Sequence, residues 1–280
     1  MNESSLAHTS SRARGSIDSR EQVEGVPRLL VLAKAWSVLD AFSDGRPELS
    51  MAELVSRTGL PTSTCARLVR NLAHDGLLER NGERYRIGLA IVRWAGLALR
   101  GRSLVEVAGP ILEWLRDQTG ESALLCVRDG RFVVVVASAS STQEILRQVR
   151  VGEVLPLYAG SIGKTFLAFD PDAWEAIRGM KLQSFTERTV TNRSVLHEQV
   201  EAVRQRGYGI SSEERNNGVA GVTAPVFDAQ DRQVGSIGIT GPVSRLTIEN
   251  LERFAPLVID ASRRITRQLG QVSPSQLKEE

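Results

Sequence analysis

The sequence predicts an α+β chain in two domains, and three observations carry that prediction. Between Ser50 and Leu72 apolar residues recur at helical spacing on either side of a glycine. Just beyond, two short runs containing arginine and β-formers flank Asn81-Gly82, the strongest short hairpin signal. After about Ser103 valine-rich runs alternate with helical stretches, with hairpin turns expected at 128–131 and 228–231. At 280 residues either domain is long enough for its own core. The expected layout is a disordered tail over 1–25, a three-helix and hairpin domain over 26–88 and a linker helix over 89–102. A domain of antiparallel sheet flanked by helices follows over 103–270, then a frayed end over 271–280.

In the first domain Leu32, Ala35, Val38, Leu39 and Phe42 mark an amphipathic helix within 26–42, stopped by Ser43-Asp44-Gly45-Arg46-Pro47. Ser50 and Glu53 have the spacing of a capping box for a second helix, whose buried side is Leu54 and Val55. Gly59 supplies a left-handed turn, and Pro61 suits the first position of a third helix. There Cys65, Leu68, Val69 and Leu72 form one stripe, which leaves Thr62, Ser63, Thr64, Ala66, Arg67 and Arg70 for another partner. Short donors at a helix N-terminus with arginines behind them suit the major groove, as in a helix-turn-helix. His74-Asp75-Gly76 closes this helix, with His74 read as a solvated cap. The hairpin after it turns the motif into a winged helix-turn-helix. Its Arg80, Arg84 and Arg86 are expected along the phosphate backbone or the minor groove, and Ser50 is counted among the DNA-contacting residues.

Charge agrees with this division. Residues 27–100 carry eleven Lys and Arg against seven Asp and Glu, whereas 101–280 carry twenty-one against twenty-two. The linker stretch, with Leu89, Val92, Trp94, Leu97 and Ala98, is apolar around most of a helical circumference. It packs either on a partner chain or back on its own domain.

In the second domain a helix is expected from Val105 to Gln118, kinked or restarted at Gly109-Pro110. Strands follow at 123–127 and 132–137, and Val133 to Val136 without alternation implies cover on both faces. A loop then feeds a strand at 145–149, with helices at 162–169, 172–179 and 195–206. A final hairpin joins 219–227 to 233–240, where Pro225 argues for an edge or bulge. A long helix from Leu246 to Leu269, interrupted or bent near Pro256, closes the chain.

Catalytic chemistry finds little support. Ser161-Ile162-Gly163-Lys164-Thr165 invites a phosphate-loop reading, but the required earlier glycine is Tyr158. What remains is a tight turn opening a helix, either to receive an anion or only to permit close packing. Glu213 and Glu214, if on a strand, point to opposite faces and cannot share a substrate. Ser161, Ser211 and Ser212 lack a base, since His197 sits on a polar helix beside Glu201. Cys65 and Cys126 fall in apolar stripes without metal-ligand spacing. No cofactor or metal is expected. With no apolar run of membrane length and no secretory leader pattern, the cytoplasm is the default expectation.

Several stretches, in order, make the chain resemble the IclR family of bacterial transcription regulators. In the first domain they are Leu60-Pro-Thr-Ser-Thr64, Arg67-Leu68, and Gly82-Glu-Arg-Tyr-Arg-Ile-Gly88. In the second they are Val151-Gly-Glu-Val-Leu-Pro-Leu157, Gly163-Lys164, Arg206-Gly-Tyr208, Glu213-Glu214, Gly218-Val219, Ala224-Pro-Val226 and Thr240-Gly-Pro242. The resemblance implies a GAF-like effector-binding second domain, homodimers and dimers of dimers, operator DNA as partner, and a small organic metabolite as signal. It also implies a ligand pocket lined by Ser161, Ile162, Gly163, Ser211, Gly221, Gly238 and Thr240. Ser211 stands where the family often has an acid, and Gly221 and Gly238 where it often has larger side chains. A roomier, less polar cavity and a bulkier or more aromatic ligand follow as expectations, with a carboxylate or aromatic metabolite as the effector. The competing class is an enzyme with a fused winged-helix domain, which would need a general base that the sequence does not offer. A protein-binding winged helix is the third class.

Overall fold

A computed structural model describes residues 29–43, 46–99 and 103–271. The tail over 1–25, Asp44-Gly45, the linker's last residues and the end from 272 lie outside the described residues. The chain divides into two compact units between Trp94 and Ala95.

The first unit opens with α1 (Leu30–Asp40), followed by the two-residue strand β1 (Leu49–Ser50). Next come α2 (Met51–Thr58), α3 (Thr62–His74), β2 (Leu78–Asn81) and β3 (Arg84–Ile87). Ser50 caps α2 through a full capping box with Glu53, and Gly59 ends it at φ +65°. Pro61 lies one place earlier than expected, as the N-cap of α3. Its extended ψ of 138° precedes the helix, while its carbonyl accepts the Cys65 N–H at 2.9 Å. Val38, Leu54, Cys65, Val69 and Leu72 interlock as one core. The wing's turn is also displaced by one residue from expectation. Asn81 pairs with Arg84, so Gly82-Glu83 are the two loop residues, with the positive φ falling on Gly82. β1 adds a third strand beside β3, giving the order β1-β3-β2. α4 (Leu89–Leu99) follows.

The second unit begins with α5 (Ser103–Thr119), which contains Pro110, and the hairpin β4 (Ser122–Asp129) and β5 (Phe132–Ala139). No strand forms at 145–149. The edge strand is instead β6 (Val154–Pro156), brought alongside β5 by a turn at Gly152, while Ile145 is 72% exposed. α6 (Ser161–Phe169), α7 (Ala173–Ala176) and α8 (Arg193–Arg206) come next. The helix expected over 172–179 thus shrinks to four residues, since Gly179 turns the chain at φ +69°. β7 (Gly209–Ser212), β8 (Val219–Phe227), β9 (Gln233–Pro242) and α9 (Ile248–Gln271) complete the unit.

All six strands run antiparallel in the order β6-β5-β4-β9-β8-β7. Alternation along β4 builds two cores. Ala123, Leu125 and Val127 join Leu112 and Leu115 of α5 and Leu251, Val258 and Ile265 of α9. Leu124 and Cys126 join Phe166 and Leu167 of α6 and Leu196 and Val200 of α8. β4 is buried along most of its length because helices cover both faces of the sheet. Pro225 lies in β8 beyond the reach of β7, whose pairing ends at Thr223, so its missing N–H leaves no ladder bond unmade.

Candidate functional site

On α3 the stripe of Cys65, Leu68, Val69 and Leu72 is buried, and this fixes what the opposite face presents. Thr62, Ser63, Arg67 and Arg70 are exposed, with Thr64 and Ala66 half-buried between them. The Arg67 guanidinium has no hydrogen-bond partner among the described residues. Arg70 Nε only donates to the Ala66 carbonyl one turn back, at 3.3 Å. The wing's arginines are held differently. Arg84 donates to Glu53 at 2.9 Å, Arg86 to Glu79 at 3.0 Å, and Arg80 to the Gly82 carbonyl at 2.8 Å. Ser50 is engaged as a cap: its hydroxyl accepts the Glu53 N–H at 3.3 Å, and its own N–H donates to the Glu53 carboxylate at 2.8 Å. These bonds from Ser50 hold the Glu53 carboxyl below its ordinary range, with Arg84 and Arg46 adding to the effect. His74 is exposed beside Asp75 at 3.1 Å.

In the second unit a cavity of about 70 Å³ opens at the N-terminus of α6. Ser161, Ile162, Gly163, Ser211, Gly221 and Thr240 all line it, although they come from four separate stretches of chain. Gly238 does not. It pairs with Leu124 and Thr223 on its two sides, and a Cβ there would lie 2.2 Å from the Val222 carbonyl oxygen. At Gly221 a Cβ would lie 2.7 Å from the Ile239 oxygen. Both glycines therefore answer to close strand packing, which overturns the expectation that they make the cavity roomier. Gly163 is likewise packed, 2.1 Å from the Leu157 oxygen in the same construction.

Below the cavity floor a buried network fixes the opening of α6. Lys164 Nζ donates to Glu214 Oε1 at 2.5 Å and to Gln199 Oε1 at 2.6 Å, and the Gly160 N–H donates to Glu214 Oε2 at 3.1 Å. Burial pulls the Lys164 ammonium below its ordinary pKa, and Glu214 partly restores it. Glu213 and Glu214 are not strand neighbours as expected: Glu213 adopts φ +60° just after β7 and pairs with Arg188 at 3.3 Å. α6 itself has no side-chain cap. The cavity wall further includes an Arg147–Glu153 ion pair, together with Arg215 and Thr223. Arg215 lies over the Phe185 ring at 4.5 Å, and burial works against its charge. Arg215 Nε and Thr223 Oγ1 are buried without a hydrogen-bond partner.

Sequence reading missed Arg147, Glu153, Arg215 and Thr223. Arg215 carried one usable signal, its place directly after Glu213-Glu214; Arg147 fell inside a stretch misread as a strand. Among the described residues no group of three or more His, Cys, Asp or Glu could hold a metal ion, and no helix is long and apolar enough to cross a membrane.

Comparison with known proteins decides the family. The family model for the bacterial transcriptional regulator IclR C-terminal region matches residues 96–267, and the IclR helix-turn-helix domain matches 31–82. The chain belongs to the IclR family. It is a transcription regulator with a helix-turn-helix domain and an effector-binding domain. The HTH-type transcriptional regulator KipR of Bacillus subtilis is 31% identical over 242 residues, covering 85% of this chain and 96% of that protein. The crystal structure of Thermotoga maritima IclR matches with a TM-score of 0.68 at 28% identity, over 85% of this chain and 98% of that one. An IclR homologue from Microbacterium hydrocarbonoxydans, complexed with 4-hydroxybenzoate, has the same fold at 24% identity, with a TM-score of 0.72 over 87% of this chain and all of that one. In IclR terms, the exposed face of α3 belongs to the helix-turn-helix half, and the cavity beside α6 to the effector-binding half.

Proposed function

We propose that this regulator reads operator DNA through Thr62, Ser63, Thr64, Ala66, Arg67 and Arg70 of α3, steadied on the backbone by Arg80, Arg84 and Arg86. The same reading seats a small organic anion, an aromatic or branched carboxylate, in the cavity beside α6. One observation supports the cavity half above all others: Arg215 Nε and Thr223 Oγ1 are buried on its wall with no partner. Buried polar atoms are nearly always satisfied, so a pair left open in one cavity is explained by a ligand that supplies acceptors. The carboxylate would meet Arg215 and the first-turn amides of α6, where the helix dipole also favours an anion. Its body would rest on Leu124, Val135 and Ile239. The 4-hydroxybenzoate held by the Microbacterium homologue is a ligand of this type.

The cavity's carboxylates favour binding over turnover. Glu153 is paired with Arg147 and Glu214 with Lys164, so neither is a free general base. Control of DNA binding then requires only that the effector bind two arrangements of the protein with different affinity. Reading DNA places the protein's work in the cytoplasm. A second copy is the partner for the exposed apolar residues Leu30, Val31, Leu32 and Trp36 of α1 and Leu89, Val92 and Trp94 of α4, and two-fold symmetry matches paired half-sites. Pairing of such dimers extends the same reading.

A thermal-shift series on the full chain tests the effector reading. Benzoate and 4-hydroxybenzoate are expected to stabilise the wild type, and Arg215→Met to lose most of that response. Stabilisation by two- or three-carbon acids alone would remove the aromatic body. An undiminished response in Arg215→Met would remove the seat.

A further inference from the structure

A second and larger opening lies elsewhere in the effector-binding unit. It is a groove of about 340 Å³ between the last residue of α6, the C-terminal end of α8, the outer end of β8 and the second half of α9. None of the residues proposed for the effector cavity lines it. It exists because β7 is short: its pairing with β8 stops at Thr223, so the stretch from Ala224 to Phe227, paired with β9 on one side, has no strand on the other.

The polar groups of that bare edge are already answered from α9. The Ser262 hydroxyl donates to the Pro225 carbonyl, and the Phe227 N–H donates to Thr266 Oγ1 at 3.1 Å. An added β-strand would therefore find its partners occupied. What remains on offer is apolar surface and positive charge. Phe169 and Phe227 meet edge to face, centroids 5.8 Å apart, and Ile259 is half-buried beside them. Arg206, Arg263 and Arg267 also line the groove, which contains no acidic residue. Arg263 and Arg267 are exposed and have no partner among the described residues. Three carboxylates on the flanking stretches are engaged elsewhere: Asp170 with Arg128, Asp228 with Arg232, and Asp260 with Arg264. Three guanidinium groups around an aromatic floor, with no internal carboxylate to neutralise them, favour a ligand that carries its own.

We propose that this groove is a second binding site, for an amphipathic organic anion whose carboxylate meets Arg206, Arg263 and Arg267 and whose hydrocarbon body covers Phe169, Phe227 and Ile259. Because it shares no lining residue with the effector cavity, it stands or falls separately from the reading of that cavity.

Decanoate, below its micelle-forming concentration, is the probe, titrated calorimetrically into the full chain. Saturable binding is expected in the wild type, with Kd raised about tenfold or more in Arg263→Glu/Arg267→Glu and unchanged in Arg215→Met. Decanol and inorganic phosphate, which carry the body or the charge alone, are expected to bind far more weakly. Equal affinity in wild type and the double variant would overturn the proposal, as would absence of saturable binding. Loss of binding in Arg215→Met would overturn it too, by moving decanoate into the effector cavity.

Discussion

The exposed face of α3 and the cavity beside α6 use cationic side chains under opposite conditions. On α3, Arg67 stands in solvent, and the surrounding fold neither needs its charge nor opposes it. Beside α6, Lys164 is 2% exposed and Arg215 is largely enclosed, so each is shaped by the groups that compensate its burial. Between these extremes lies the wing, where Arg84 and Arg86 are exposed yet already paired with Glu53 and Glu79. The difference separates recognition from stability. A change on α3 should alter binding and leave folding alone, whereas a change beneath the cavity should first be felt in folding.

The largest expected effect follows from breaking the buried pair. Lys164→Met leaves Glu214 enclosed without its cation, which typically destabilises by about 3–5 kcal/mol. Chemical denaturation should show that loss, and a Lys164→Met/Glu214→Leu double variant should recover much of it. A Lys164→Met protein as stable as wild type would erase the contrast between the two regions.

Arg67→Ala sharpens the same contrast from the other side. If Arg67 contacts a base edge, operator affinity should fall by about 1–3 kcal/mol and selectivity should relax at one position. The denaturation midpoint should stay where it was, because the side chain touches nothing it supports. A binding titration across single-base operator variants reads both.

Ser50→Ala occupies the middle. Loss of the cap should destabilise the first unit by about 1 kcal/mol. The same box predicts a pH dependence through Glu53, whose carboxyl is held below its ordinary value of 4.5. The stability it contributes is complete above that value and fades as pH falls through the lowered one. Acid titration should show this limb reduced in Ser50→Ala, which loses the hydroxyl but keeps the backbone N–H, and absent in Glu53→Gln.

The smallest effect belongs to Arg84→Ala. If Arg84 meets a phosphate, affinity should weaken alike for all sequences, and the slope of log K against log salt should drop by about 1. Because Arg84 already faces Glu53, its loss of binding energy should be less than that of Arg67. An unchanged slope would take the wing out of DNA contact.

The same two regions differ in how well the amino-acid order discloses them. Along α3 the buried and exposed faces alternate within each turn, so spacing alone separates Leu68 and Val69 from Arg67 and Arg70, whichever distant residues the stripe packs on. The Ser50–Glu53 box is local in the same way, and β8 and β9 announce themselves by length. The cavity is different. Glu214 reaches Lys164 across fifty residues, and Arg215 borders β4 and β9 only once the sheet has formed. Short strands were also hidden, since β1, β6 and β7 have two to four residues and no room for alternation. Ile145 to Val149 had the composition of a strand but no edge to join, because Val154–Pro156 takes the place beside β5. At Gly221 and Gly238 a missing side chain reads as space in one dimension and is crowded backbone in three.

Under the proposed function, an effector in the second unit decides what the first unit does with DNA. Fluorescence anisotropy of a labelled duplex from upstream of the protein's own gene, against random duplex, measures this with and without 4-hydroxybenzoate or related acids. We expect preferential binding to the upstream duplex, an affinity shifted by the acid in wild type, and no shift in Arg215→Met. Equal binding to both duplexes, or a shift that survives in Arg215→Met, would contradict it.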